Sequence, residues 1–342
     1  MRFAVVGAGA IGAYVGAALA RGGADVTLIA RGAHLRAMQE GGVRVLSPRG
    51  DFSAHPRATD ALEAVADADV VLVALKAYSL PELAPRLGAL LAPGAATIWA
   101  QNGVPWWYFR SHPGPLQDLV LETVDPGGVI SRSIPAESSV GCVVYVATET
   151  VEPGVIRHIE GSRLTIGEPD GSLSERCRRI SAALAAGGLK APVEQRLRDQ
   201  IWLKLVGNVA FNPITALTRA TLRELGTLPE MVDLLWAVFV ECAAVAERLG
   251  IEFSISLERR LEAGLAVGDH RTSMLQDLEA GRPLELDCMT GAVIELAERL
   301  GVAVPHTRTV HVCVKLLDQL SRAHPAKAEG SGSRSARSSI SP

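Results

Sequence analysis

An apolar run, RFAVV at 2–6, leads straight into GAGAIG at 7–12 and then into a segment rich in Ala and Gly that closes at Arg21. No other stretch narrows the fold as far. Five residues of this kind read as a buried strand. Gly7, Gly9 and Gly12 follow in G-x-G-x-x-G spacing and open a helix over 11–21. Gly7 permits a tight turn, Gly9 lets a pyrophosphate approach the backbone, and Gly12 lets the helix lie close on the sheet. A helix N-terminus attracts phosphate charge. Gly7, Ala8, Gly9, Ala10, Ile11 and Gly12 are therefore a candidate dinucleotide cradle. The same segment has one early Arg, an apolar run and small residues at 18–20, the outline of a secretory leader. The ordered glycines and a second strand at 25–30 (DVTLIA) favour strand, turn and helix.

Strands and helices go on alternating, with a helix at 34–40 and strands at 69–75 and 96–100. That pattern predicts a parallel sheet covered on both faces. After residue 138, SVGCVVYVAT, GVIRHIEG and SRLTIGEP read as strands joined by short turns, so the sheet is expected to end in antiparallel or mixed form. From 174 the texture is helical, with helices expected at 174–187, 194–211, 221–225, 229–249, 256–267, 273–280, 286–300 and 306–322. The chain then divides into an α/β Rossmann-type domain (1–190), an all-α domain (191–324) and a tail (325–342). The tail is Ser-, Gly- and Arg-rich and is expected to be disordered. A length of 342 residues, 48% of them hydrophobic, suits about two cores.

Charge and cysteine usage exclude several function classes. Lys and Arg number 34 against 37 Asp and Glu, a net charge of −3, so nothing suggests a nucleic-acid or membrane-surface protein. Cys142, Cys177, Cys242, Cys288 and Cys313 are scattered, with no CxxC or Cys/His cluster. That predicts a reducing, cytoplasmic setting without disulfides or a bound metal.

Three strand ends point towards the cofactor cleft. The second strand runs into LIARGAH, which lacks the carboxylate that usually binds a ribose 2′-hydroxyl. Arg31 stands there instead and suits a 2′-phosphate, so NADPH is the expected cofactor. Lys76 follows VVLVAL and Asn102 follows TIWAQ, and ligands of open α/β sheets sit beyond such carboxyl ends. Taken alone, either residue could equally be an ordinary solvated one.

The helical half carries a stranger pattern. IWLKLVGNVAFNPITAL at 201–217 sets Lys204, Asn208 and Asn212 into an apolar stretch at steps of four. Residues four apart on an α-helix drift by about 40° and rise about 6 Å, so the three form one polar stripe. A core helix gains nothing from such a stripe, because buried polar groups need partners. Further on, TSMLQDLEAGRPLELD contains Ser273, Gln276, Asp277, Glu285 and Asp287. Ser-x-x-Gln at 273–276 is a capping box, and Glu285 and Asp287 suit the N-terminus of the helix at 286–300.

GAGAIG, LKAY, QNG, WLKLVGNVAFNPITAL and SMLQDLEAGRPLELD, in that order, resemble the ketopantoate reductase (2-dehydropantoate 2-reductase) family. The resemblance runs from residue 1 to about 320. It implies a Rossmann-type domain, an all-α domain like the C-terminal domain of 6-phosphogluconate dehydrogenase, and an active site in the cleft between them. It implies Lys204 as general acid and Asn208, Asn212 and Ser273 as substrate-binding residues. It implies that Asn102 touches both cofactor and substrate, and that Lys76 and Glu285 lie near the cofactor. The implied reaction is NADPH-dependent reduction of a small 2-oxo acid, ketopantoate to pantoate, in pantothenate and CoA biosynthesis. A homodimer is left open.

On this reading the polar stripe faces the cleft. Asn212 precedes Pro213, and a residue before proline is pushed out of the α region, so the helix is expected to end or kink there. Two departures stand out. QNG leads into VPWWYF, and Trp106, Trp107, Tyr108 and Phe109 are either a packing cluster or the wall of a pocket for a larger, more apolar substrate. Another substrate-binding Asn of the family falls at Leu222 by an ungapped count. The alternatives are a reductase of another 2-oxo acid and a non-catalytic NADPH-binding sensor. Lys204, Asn208 and Glu285 speak against the sensor.

Overall fold

The structure, a computed structural model, describes residues 1–324; the segment expected to be a disordered tail lies outside them. Its strands are β1 (Arg2–Val6), β2 (Asp25–Ile29), β3 (Val43–Leu46), β4 (Phe52–Ala54), β5 (Arg57–Thr59), β6 (Val70–Val73), β7 (Ala96–Trp99), β8 (Ser139–Glu152) and β9 (Val155–Gly167). They form one sheet in the order β4-β3-β9-β8-β7-β6-β1-β2-β5. β5, β2, β1, β6, β7 and β8 are parallel neighbours, whereas β8–β9 and β3–β4 are antiparallel, giving the mixed sheet expected. The chain moves outward from β1 on one side to β2 and on the other to β6. The carboxyl ends of β1 and β6 therefore flank a topological switch point, the crevice where such sheets take ligands. Both the glycine turn and Lys76 sit there.

The helices of the sheet half are α1 (Ala10–Arg21), α2 (Gly32–Gly41), α3 (Leu80–Leu90), α4 (Val129–Ser133) and α5 (Glu175–Ala186). One sheet face buries Phe3, Val5, Leu28 and Ile98 against Ala13, Ala17 and Ile180 of α1 and α5. The other face joins the core of the helical half through Trp99, Trp107 and Trp202. That half contains α6 (Leu197–Thr218), α7 (Leu222–Leu225), α8 (Pro229–Arg248), α9 (Leu257–Leu265), α10 (Ser273–Glu279), α11 (Ala292–Leu300) and α12 (Pro305–Ala323). Among the described residues, no helix is long and apolar enough to cross a membrane.

Three local expectations are corrected. First, α6 does not end at Asn212-Pro213 but runs to Thr218, closed by Arg219 in the left-handed region (φ 59°). Pro213, Ile214 and Ala216 are all buried, and that packing outweighs the penalty on the residue before proline. Thr215 Oγ1 also donates to the Asn212 carbonyl at 3.0 Å. Second, the cap of α10 is Thr272, whose side chain accepts the Leu275 N–H. Ser273 is the first helical residue, and Gln276 turns back to donate to the Arg271 carbonyl at 2.9 Å. Third, the helix expected at 286–300 opens as a π turn, Asp287–Gly291, before α11. Glu285 therefore caps nothing and is free for another task.

Candidate active site

The glycine turn fits a dinucleotide. Gly7 has φ +91°, and a Cβ there would press on Leu75 Cδ2 at 2.7 Å. A Cβ at Gly12 would collide with the Gly7 carbonyl oxygen, whereas one at Gly9 would meet nothing within 4 Å. Gly7 and Gly12 thus hold the turn together, and Gly9 faces open space where a phosphate can enter. The N–H groups of Gly7 and Ala8 are spent on the Ile29 carbonyl at 3.1 and 3.0 Å. Those of Ala10, Ile11 and Gly12 begin α1 and have no intrahelical partner, and Gly9 offers no side-chain cap. They form an anion-binding helix N-terminus. Arg31 lies just beyond β2, at the N-cap of α2, exposed and without a side-chain partner among the described residues.

Across the crevice, α6 brings Lys204 to the sheet. Its Nζ donates to Asn102 Oδ1 at 2.7 Å and to the Val144 carbonyl at 2.6 Å. An ammonium has three N–H bonds, so one remains unspent. The nitrogen also lies 5.6 Å from the Tyr145 ring centroid. Burial lowers Lys204 from 10.5 to about 8, with Arg260 adding to the shift and Glu285 opposing it. Cys142, close by, is pushed the other way by burial, to about 12, and stays a neutral thiol.

The rest of the stripe divides. Asn208 is half-buried, with no side-chain hydrogen bond among the described residues. Asn212 is buried, and its Nδ2 reaches Met289 Sδ of the π turn at 3.8 Å. The stripe therefore faces the cleft at Lys204 and Asn208 and the protein interior at Asn212. Ser273 is exposed and its hydroxyl is likewise unspent. Leu222, where a further Asn was expected, is buried in α7.

Lys76 turns towards the helical half. Its Nζ donates to Asp277 Oδ2 at 2.7 Å and Glu285 Oε2 at 3.0 Å, while the Ala77 N–H donates to Glu285 Oε1 at 3.0 Å. Burial alone would lower Lys76, but the two carboxylates outweigh it and hold the ammonium above its usual value. Gln101 fixes the neighbouring loop by donating to the carbonyls of Val73 and Leu75 at 2.9 and 3.0 Å. The Val104 N–H then donates to the Cys288 carbonyl at 2.8 Å.

The aromatic segment after QNG belongs to packing. Trp106, Trp107, Tyr108 and Phe109 are all buried, Trp107 and Leu197 both lie against Gly141, and Trp202 Nε1 donates to Tyr108 Oη at 2.7 Å. Sequence reasoning singled out Asp277 without giving it a role and missed Tyr145, Arg260 and the Val144 carbonyl. Asp277 carried a signal, lying four residues after Ser273 on one helix. Tyr145 and Arg260 carried none, because only the fold brings β8 and α9 to α6.

Both halves of the chain are similar to known proteins. The family model described as "Ketopantoate reductase PanE/ApbA" matches residues 3–171, and "Ketopantoate reductase PanE/ApbA C terminal" matches 196–318. A 2-dehydropantoate 2-reductase of Mesorhizobium japonicum is 42% identical over 318 residues, 93% of this chain and 98% of the relative. The solved structure of a putative ketopantoate reductase from Ralstonia solanacearum superposes with a TM-score of 0.87 at 40% identity, covering 94% of this chain and 98% of that one. A D-mandelate dehydrogenase solved with NADH and anilino(oxo)acetate has a TM-score of 0.79 at 19% identity, covering 94% and 99%, a likeness of fold alone. With its two halves matched in order and its relatives aligned from end to end, the chain belongs to the ketopantoate reductase family.

Proposed function

We propose that this chain reduces a 2-oxo acid with NADPH, converting 2-dehydropantoate (ketopantoate) to pantoate. The carrying observation is the Lys204 ammonium, which reaches across from the helical half to Asn102, just beyond the carboxyl end of β7, and keeps one N–H unspent. Gly7, Gly9 and the N-terminus of α1 would hold a reduced nicotinamide dinucleotide, which would supply the hydride. Negative charge then grows on the ketone oxygen, and Lys204 stabilises it and donates its proton. A value near 8 keeps the lysine charged at neutral pH yet makes it a far better acid than a solvated lysine. Asn102 and the Val144 carbonyl hold the ammonium in place. Asn208 and Ser273 offer uncharged polar groups to the acid, and Asn212 supports the stripe from within. Lys76 and Glu285 close the cofactor side of the crevice.

The same reading places the dinucleotide on residues 1–190 and the substrate on 191–324. It places the enzyme in the cytoplasm, where its five free cysteines stay reduced. Arg31, exposed just beyond β2 and without a side-chain partner among the described residues, supports NADPH over NADH. Steady-state kinetics on a panel of 2-oxo acids tests the substrate, and titration with both dinucleotides tests the cofactor. The highest kcat/KM is expected with 2-dehydropantoate. NADPH is expected to bind at least about tenfold tighter than NADH, a gap that Arg31→Ala closes. A better 2-oxo acid would replace the substrate, equal dinucleotide affinities would overturn the cofactor reading, and no turnover of any would overturn the enzyme.

A further inference from the structure

Beside the Lys204 stripe lies a cation that the mechanism does not use. Arg260 of α9 crosses α6 with its Nε donating to the Leu203 carbonyl at 3.1 Å. Its guanidinium covers Gly207, where a Cβ would collide with Nη2. Leu203 and Gly207 each precede a stripe residue, Lys204 and Asn208. One residue is about 100° of helix, so Arg260 lies along the flank of the stripe. A glycine inside a helix costs about 1 kcal/mol against alanine, and the room it leaves for this guanidinium accounts for its presence.

Arg260 is half-buried and has no carboxylate partner among the described residues. The group that opposes the effect of burial on it is the Tyr145 phenol. Arg163 stacks on that same ring, 4.3 Å from its centroid, and Lys204 approaches it at 5.6 Å. Two cations thus lie on this ring and Arg260 is close enough to feel its phenol, with no ion pair to any of the three among the described residues. Arg176 pairs with Glu168 at 2.5 Å and Lys76 with Asp277 at 2.7 Å, and Arg198, also without a carboxylate among the described residues, spends its guanidinium on the Tyr108 and Arg110 carbonyls at 2.9 and 2.7 Å, whereas Arg260 has only the Leu203 carbonyl among them. A half-buried guanidinium without an anion is costly unless a ligand brings one.

We propose that Arg260 binds the carboxylate of the 2-oxo acid and so makes the site specific for an anionic over a neutral ketone. The inference rests on the reductase reading above. In a 2-oxo acid the carboxylate and the ketone are on adjacent carbons. Its two oxygen-bearing groups therefore need two neighbouring donors, and Lys204 of α6 has Arg260 of α9 packed over the residues that flank it, Leu203 and Gly207. Arginine suits the role, because its fork matches a carboxylate with paired charge-assisted bonds.

The test compares 2-dehydropantoate with its neutral lactone in the wild type, Arg260→Ala, Arg260→Lys and Gly207→Ala. Arg260→Ala should raise KM for the acid at least tenfold and leave kcat/KM for the lactone within twofold. The acid-to-lactone preference then collapses by tenfold or more. NADPH affinity, titrated directly, should not move, and calorimetry should show pantoate binding weakened at least tenfold. Arg260→Lys keeps the charge and should recover part of the preference. Gly207→Ala, which keeps Arg260 but displaces it, should act in the same direction as Arg260→Ala should the latter fail to fold. An unchanged preference in variants that turn over, or an equal loss on acid and lactone, overturns this role and leaves the reductase reading standing. A wild type that reduces no 2-oxo acid overturns the reductase reading and this inference with it.

Discussion

Lys204 is kept charged against its surroundings. Burial lowers it from 10.5 to about 8, so its charge works against folding at neutral pH. For a lysine lowered on folding, that penalty is complete below the folded value and vanishes above the unfolded one. Lys204→Met should therefore raise the melting temperature at pH 7, and the gain should shrink between about pH 8 and 10.5. The same variant should lose about 10²–10⁴ in kcat while keeping its NADPH affinity, because the glycine turn is untouched. In the wild type, kcat/KM should fall as the pH rises through about 8, where the donor loses its proton. A Met variant less stable than the wild type at pH 7 would show that the bonds to Asn102 and Val144 outweigh burial. The site position of Lys204 was legible, because four-residue spacing on an apolar helix has no good core explanation. The depth of its burial was not. That depends on Val144 and Tyr145, about sixty residues away in the chain, while the charge of Arg260, on another helix, adds to the lowering.

At the scale of elements, the glycine turn separates two tasks that sequence spacing alone merges. Gly12 has the Gly7 carbonyl against it, whereas Gly9 has open space. Gly12→Ala should lower both melting temperature and dinucleotide affinity. Gly9→Ala should leave the melting temperature unchanged, or raise it slightly through lost unfolded-state entropy, and weaken dinucleotide binding at least about tenfold. Calorimetric melting and fluorescence titration of both variants decide it; unaltered affinity in Gly9→Ala means that no phosphate sits over this residue. β1, α1, β2, β6 and β7 were readable because each carries its own hydrophobic period. β3, β4 and β5 were not, since three or four residues such as FSA and RAT hold no period and pair only where the sheet is already built. The cap of α10 was off by one because Thr272 and Ser273 both have capping hydroxyls and only the local backbone chooses between them. Pro213 misled for a similar reason: the local rule is sound, but burial along α6 overrides it.

Over the whole molecule, the crevice is held by polar contacts between the sheet half and the helical half. Lys76, at the end of β6, meets Asp277 and Glu285, whose side chains are 5% and 4% exposed against 34% for the lysine. Asp277 has a second cation, Arg282, at 2.8 Å, whereas among the described residues Glu285 keeps only the Ala77 N–H once Lys76 is gone. Removing Lys76 thus strands mainly the Glu285 charge. Breaking a buried pair from one side costs about 3–5 kcal/mol, and solvent screening at the partly exposed Lys76 takes the expectation below that range. Lys76→Ala should therefore lower stability by about 2–3 kcal/mol, with Glu285→Gln in the same background returning part of it. A double-mutant cycle in urea gives the coupling directly. If the pair closes the crevice, Lys76→Ala should also weaken dinucleotide binding while the spectroscopic signature of each half stays native. A coupling below about 0.5 kcal/mol, with binding intact, would mean that the halves are held by the shared core around Trp107 and Trp202, with the ion pair a passenger on it.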